Sequence, residues 1–148
     1  MADTMQFDLV SPERNLISVA AREVRLPGSE GDLTAMPGHA PAIVNLRPGL
    51  VTLVTADGTQ IEFAVTGGFV EINGESVSLL AERGHPRAEM TQALYNEMME
   101  QALRRVKTAK ERGSAGEEFV ASAVKLLGDM EALGTHIGLD PKQANFPD

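Results

Sequence analysis

The chain has no cysteine at all and no lysine before residue 107. Without cysteine there can be no disulfide, no thiolate nucleophile and no metal site built on sulfur. Long apolar runs are missing too. No stretch approaches the ~18 apolar residues that span a bilayer, and Met1-Ala2-Asp3-Thr4 lacks the basic start and apolar follow-on of a secretory signal. These absences predict a soluble protein of the cytoplasm that meets a membrane only through a partner. Nucleotide-binding signals are lacking as well: no glycine-rich loop ends in Gly-Lys-Ser/Thr, and Gly67-Gly68 lies between β-type segments with no helix to follow. His39, His85 and His136 are far apart, and none stands at ligand spacing on a helix. No cofactor, metal or catalytic residue is therefore expected. Only a constellation assembled from distant segments would make the chain an enzyme.

What charge there is has an uneven distribution. The 148 residues carry a net charge of −8. Residues 1–85 hold eleven acidic side chains against five basic ones, all arginine, whereas residues 86–148 hold ten against eight, including all four lysines. An acidic first half repels phosphate, so nucleic acid and anionic lipid are poor partners.

From Met5 to Glu82 short apolar segments alternate with turn residues. Phe7-Asp8-Leu9-Val10 ends at Ser11-Pro12-Glu13-Arg14, Leu16 to Val19 follows, and Glu23 to Leu26 stops at Pro27-Gly28. Asp57-Gly58 and Asn73-Gly74 are the strongest hairpin signals, of the kind type I′ turns demand. They predict pairing of Leu50–Thr55 with Ile61–Val65, and of Phe69–Ile72 with Val77–Leu80. Ile61, Phe63 and Val65 alternate with Gln60, Glu62 and Ala64, one buried face and one wet. Many short strands with Gly and Pro turns predict a sandwich or flattened barrel over residues 1–85, and a module of that size buries about 60–65% of its unfolded surface.

After Gly84-His85-Pro86 the period becomes helical. Met90, Leu94, Met98, Ala102, Val106 and Ala109 form one stripe, Gly113 is a stop, and Ser114-Ala115-Gly116-Glu117 reads as a capping box. The next helix carries Phe119, Ala123, Leu126, Leu127, Met130 and Leu133 on one face and is expected to end at Gly134. Residues 86–134 thus read as an antiparallel helical hairpin and residues 135–148 as a polar, disordered tail. A two-helix hairpin buries little by itself, so it needs a support or a partner.

Three motifs bring in a family resemblance. They are Asp8-Leu9-Val10-Ser11-Pro12-Glu13; Pro27-Gly28-Ser29-Glu30-Gly31-Asp32-Leu33 running into Met36-Pro37-Gly38-His39-Ala40-Pro41; and Pro48-Gly49 with Gly67-Gly68-Phe69-Val70-Glu71 and Val77-Ser78-Leu79-Leu80-Ala81. In this order they resemble the epsilon subunits of bacterial F-type ATP synthases over residues 4–85, with the hairpin in the matching place. The resemblance implies an α+β protein: an N-terminal ten-stranded β-sandwich of two five-stranded sheets, then a C-terminal antiparallel two-helix hairpin. It implies a non-catalytic rotor part on the cytoplasmic face of the bacterial inner membrane. Its partners would be the gamma subunit, the membrane ring of c subunits and, through an extended hairpin, the alpha and beta catalytic subunits.

The resemblance also suggests contact residues. The turn Ser29-Glu30-Gly31-Asp32, with His39 in the neighbouring loop, matches the end of the sandwich that touches the membrane ring. Acidic side chains on a rigid turn can pair with basic loops, although solvated turn acids with glycines shaping the backbone explain the same residues. Arg104, Arg105, Lys107, Lys110 and Arg112 put five cations into nine residues at the end of the first helix. Either they offset the helix macrodipole, or they meet acidic segments of the catalytic subunits and brake hydrolysis. The ATP-binding segment of some members, apolar-Asp-x-x-Arg-Ala, is not kept in Glu89-Met90-Thr91-Gln92-Ala93-Leu94, so no nucleotide-contacting residue is assigned. The opposing reading, a free sandwich that senses a small ligand, predicts a chain that stays in the soluble fraction.

Overall fold

β-Branched and aliphatic residues at alternate positions drive the first eighty residues into strands. The computed structural model describes residues 3–111 and 117–141. Nine strands come first: β1 (Met5–Val10), β2 (Asn15–Gly28), β3 (Gly31–Ala35), β4 (Ala42–Leu46), β5 (Gly49–Thr55), β6 (Gln60–Val65), β7 (Gly68–Ile72), β8 (Ser76–Ala81) and β9 (Gly84–Pro86). A 3₁₀ turn (Arg87–Glu89) and two helices, α1 (Gln92–Glu111) and α2 (Glu117–His136), follow among the described residues. Two compact units result, residues 1–87 and residues 88–148.

The fold is the expected β-sandwich followed by two helices, with nine strands rather than ten. The difference lies in β2, whose 14 residues run through the two segments read separately from the sequence. Its first half pairs with β1, from Asn15 to Ala21. Its second half pairs with β3 on one side and β5 on the other. Arg22 is skipped in the β2–β5 register, a bulge at the point where the strand passes from one layer to the other. Counted in both layers, β2 gives the orders β2-β1-β8-β7-β4 and β3-β2-β5-β6-β9, five strands each. β1 and β8 are parallel, and every other pair is antiparallel. Phe7, Leu9, Val24, Leu26, Leu53, Val70, Ile72 and Leu79 fill the core between the layers, each at most 2% exposed.

Both hairpins fall where their turn residues place them, with the expected strand partners. The turns themselves are not type I′, because no described non-glycine residue has positive φ. At the first, Gly58 donates to the Thr55 carbonyl at 3.0 Å and takes φ +87°, a type I turn closed by a left-handed glycine. Asp57 accepts from the Thr55 hydroxyl and from the Thr59 amide. These donors hold its carboxyl down at about 2. At the second, the Asn73 side chain accepts from the Glu75 and Ser76 amides, both at 2.8 Å, so a side chain does what positive φ would have done. On β6 the alternation breaks at Ala64, which is fully buried.

In the helical unit α1 and α2 run antiparallel, with Val106 and Ala109 near one end packed on Ala123, Val120 and Leu127. Leu94 is only half-buried, while Tyr95 and Met99 join Met98, Ala102, Val106 and Ala109 as the buried positions of α1. The stop at Gly113, the capping box Ser114–Glu117 and the side chain of Phe119 lie outside the described residues. Gly134 does not end α2. The helix runs to His136 and closes with Gly138 at φ +81°, the Leu139 amide donating to the Gly134 carbonyl at 2.8 Å. That five-residue reach around a left-handed glycine is the Schellman cap. Residues 135–141, expected as part of a disordered tail, are therefore the capped end of a helix and the turn after it.

Candidate functional site

No helix among the described residues is long and apolar enough to cross a membrane. Among the described residues no group of three or more His, Cys, Asp or Glu could hold a metal ion. What the structure offers instead are surfaces, and three of them carry the residues of interest.

The first surface surrounds β3, a strand that among the described residues pairs with β2 alone. Ser29 and Glu30 form the two-residue link between β2 and β3, and both are exposed. Four hydrogen bonds make this link rigid. The Ser29 amide donates to the Asn45 carbonyl at 2.8 Å. The Arg47 guanidinium donates to the Gly28 carbonyl and, at 2.5 Å, to Asp32. The Arg47 amide donates to the Pro27 carbonyl at 3.0 Å. Gly28 has no room for a side chain, since a Cβ there would lie 2.4 Å from the Gly31 carbonyl oxygen. Asp32, though exposed, is thus engaged by Arg47, and Glu30 stands at the tip.

His39 lies at the other end of β3, roughly 17 Å of extended chain away from Glu30. Its loop is a type II turn: the His39 amide donates to the Met36 carbonyl at 3.0 Å across Pro37 and Gly38, and Gly38 has φ +85°. The Gly38 amide donates to the Gly74 carbonyl at 2.9 Å, which ties this loop to the β7–β8 turn. The residues that the sequence grouped as one contact are therefore two turns joined by an exposed edge strand.

The second surface was not read from the sequence. On the outer face of the β4-β7-β8 sheet Ile43, Phe69 and Leu80 are 75%, 44% and 48% exposed. Phe69 pairs with Asn45 and Leu80, Leu80 pairs with Val10, and Ile43 stands diagonally beside Phe69, so the four apolar side chains share one face. The signal was available: Phe69 alternates with the buried Val70, so β7 is apolar on both sides.

The third surface is the basic end of α1. Arg104, Arg105, Lys107 and Lys110 are all exposed, and Arg112 lies outside the described residues. Arg104 reaches Glu100 only at 3.8 Å. Arg104 and Arg105 border a groove of about 440 Å³ between the helices, floored by Ala109, Ala123 and Leu126. Ala102, Val106 and Ala109 are the buried positions of this stretch, so Arg104 and Arg105 stand at the rim of the groove while Lys107 and Lys110 are exposed beside it.

Comparison with known proteins fits this architecture. Residues 4–86 match the family model described as the ATP synthase, delta/epsilon chain, beta-sandwich domain. The chain is 82% identical to the ATP synthase epsilon chain of Paracoccus denitrificans, covering 99% of each. It is 62% identical to that of Rhodobacter capsulatus, covering 94% of this chain and all of the relative. Among solved structures, a chain of the Euglena gracilis mitochondrial ATP synthase superposes with a TM-score of 0.69 at 17% identity, over 93% of this chain and 83% of that one, a likeness of fold. The chain belongs to the family of ATP synthase epsilon chains.

Proposed function

We propose that this chain is a non-catalytic rotor subunit in the central stalk of an F-type ATP synthase. It couples rotation of the membrane ring to ATP synthesis in the catalytic head. The observation that carries the reading is the apolar row of Ile43, Phe69, Leu80 and Val10 on the outer face of a sandwich that already has a complete core. Large apolar side chains clustered on a small domain's outer face call for a cover, and for a member of this family that cover is the gamma subunit. The sandwich is then held to the membrane as a peripheral part of the complex, on the cytoplasmic face of the bacterial inner membrane.

The ring of c subunits meets the edge strand β3 and its two turns. Glu30 projects from the rigid Ser29–Glu30 link as the acid open to a basic loop, and Gly31 supplies the φ of +142° that the link needs. Asp32 contributes as part of a strut with Arg47, and His39 marks the far end of the contact. On the hairpin, Arg104, Arg105, Lys107 and Lys110, with Arg112, are the cations that an extended hairpin would bring to acidic segments of the alpha and beta subunits, braking hydrolysis.

The test is ATP hydrolysis by the purified catalytic head carrying either the full chain or one ending at Arg87, with binding of both confirmed. The cut belongs after β9, because Gly84–Pro86 pairs with β6. Hydrolysis raised several-fold by truncation supports the brake. Equal hydrolysis with both bound leaves coupling alone. Failure of both to bind rejects the rotor assignment.

A further inference from the structure

The two ends of the helical hairpin are built differently. At the end next to the connecting segment the interface is made of small or half-buried residues: Val106, Ala109 and Ala123, with Val120 and Leu127. At the opposite end it is made of specific contacts. Tyr95, completely buried, donates its hydroxyl to the Met130 carbonyl at 2.8 Å. Its ring lies so close to Gly134 that a Cβ there would sit 2.1 Å from the Tyr95 hydroxyl oxygen. Gln92, the first residue of α1, grips the chain just past α2 with both halves of its amide. Its Nε2 donates to the Asp140 carbonyl at 2.8 Å, and its Oε1 accepts from the Asp140 amide at 2.9 Å.

We propose that Gln92 and Tyr95, closing on Asp140 and on the Met130–Gly134 stretch of α2, form a latch that keeps the hairpin shut. Three features suit these contacts to a latch rather than to a permanent core. All are polar or shape-dependent, so water can replace the hydrogen bonds when the helices part, and their net worth is modest. Gly134 admits the ring only at the closest approach of the helices, so the contact makes and breaks as a unit. Toward the connecting segment the described helix residues bury only Val106, Ala109 and Ala123, with Val120 and Leu127 beside them. The other large buried side chains of the two helices, Met98, Met99, Met130 and Leu133, pack without a directional bond of their own. The latch therefore supplies the directional part of the balance between a shut and an open hairpin, beside that apolar burial. This inference rests on the reading of the hairpin as a regulatory element, and it adds the device that sets its resting state.

The experiment uses the full chain, which has no native cysteine. Cysteines placed at exposed positions, Glu97→Cys and Ala132→Cys, carry nitroxide labels, and pulsed dipolar spectroscopy reads their separation. With the latch intact one short distance is expected. Tyr95→Phe, which loses one buried hydrogen bond, and Gln92→Ala, which loses two exposed ones, should each raise the open-to-shut ratio by up to about tenfold, and more together. Lys125→Ala, which removes a surface pair with Asp129, should leave the distribution unchanged. Unchanged distances in both latch variants would overturn the proposal. Loss of helical circular dichroism along with the short distance would also overturn it, because the contacts would then hold each helix folded rather than hold the two together. Hydrolysis by the assembled complex is read separately: a hairpin that opens without altering hydrolysis keeps the latch and removes the brake.

Discussion

Tyr95 is the chain's single tyrosine and its largest fully buried side chain. Burial, reinforced by the negative charges of Glu131 and Asp140, pushes its phenol up to about 12 from an ordinary 10.0. The sign of the consequence follows from which state holds the proton. Between pH 10 and 12 the unfolded phenol ionises while the folded one keeps its proton, so the unfolded state binds fewer protons. Tyr95 therefore stabilises the hairpin fully below pH 10 and loses that contribution as the pH rises through about 12. Helical signal followed against pH should fall over this range, and Tyr95→Phe should flatten the fall. An equal slope in the variant would show that another group governs it. Gly68 is the second residue whose chemistry is dictated by space: it has φ +130°, and a Cβ would lie 2.0 Å from the Leu80 carbonyl oxygen. Gly68→Ala carries strain of about 1–3 kcal/mol from φ alone, before β7 and β8 part to relieve the clash. Urea unfolding should show at least that loss, and a midpoint within error of the parent would refute the close approach.

At the scale of elements, the link between β2 and β3 is stiff because an arginine from the β4–β5 turn braces it. Arg47 donates to Gly28 and Asp32, with its side chain 29% exposed and that of Asp32 79% exposed. An ion pair so open to water contributes little, about 0–1 kcal/mol, and the bond to the carbonyl contributes about 1 kcal/mol. Arg47→Ala should cost about 1–2 kcal/mol in all, and Asp32→Asn should cost less. Amide exchange at Ser29 and Leu33 should quicken in Arg47→Ala while the amides of β7 stay slow. Uniform quickening across the sandwich would mean that Arg47 supports the whole fold rather than the link.

At the scale of the molecule, the chain divides into two compact units, residues 1–87 and 88–148. Every buried residue of the sandwich cluster lies between Met5 and Ala81. A chain ending at Arg87 should therefore unfold cooperatively on heating, with a transition close to that of the full chain. A broad or absent transition would show that the sandwich depends on the helices. On the proposed reading a brake would belong to residues 88–148 and the coupling surface to residues 1–87, the two compact units of the chain.

The sequence by itself determined the class of fold, both hairpin positions, the switch from strands to helices near Pro86, and the family. Each rests on local chemistry: turn residues at fixed offsets, a period changing from two to about three and a half, and glycines where backbones must approach. Only the tertiary structure decided the rest. β2 became one bent strand because a bulge at Arg22 let it serve both layers, which no local signal at residues 19–23 announces. Gly134, legible as a helix stop, is instead a helical position emptied for the Tyr95 ring, a contact across 39 residues of chain. Glu30 and His39, nine apart in sequence, stand at opposite ends of β3, because an extended strand converts short separation into distance. Periodicity identifies which face of a strand is apolar. The outward row of Phe69, Leu80 and Ile43 appears only when neighbouring strands are set in register, and register is decided by pairing.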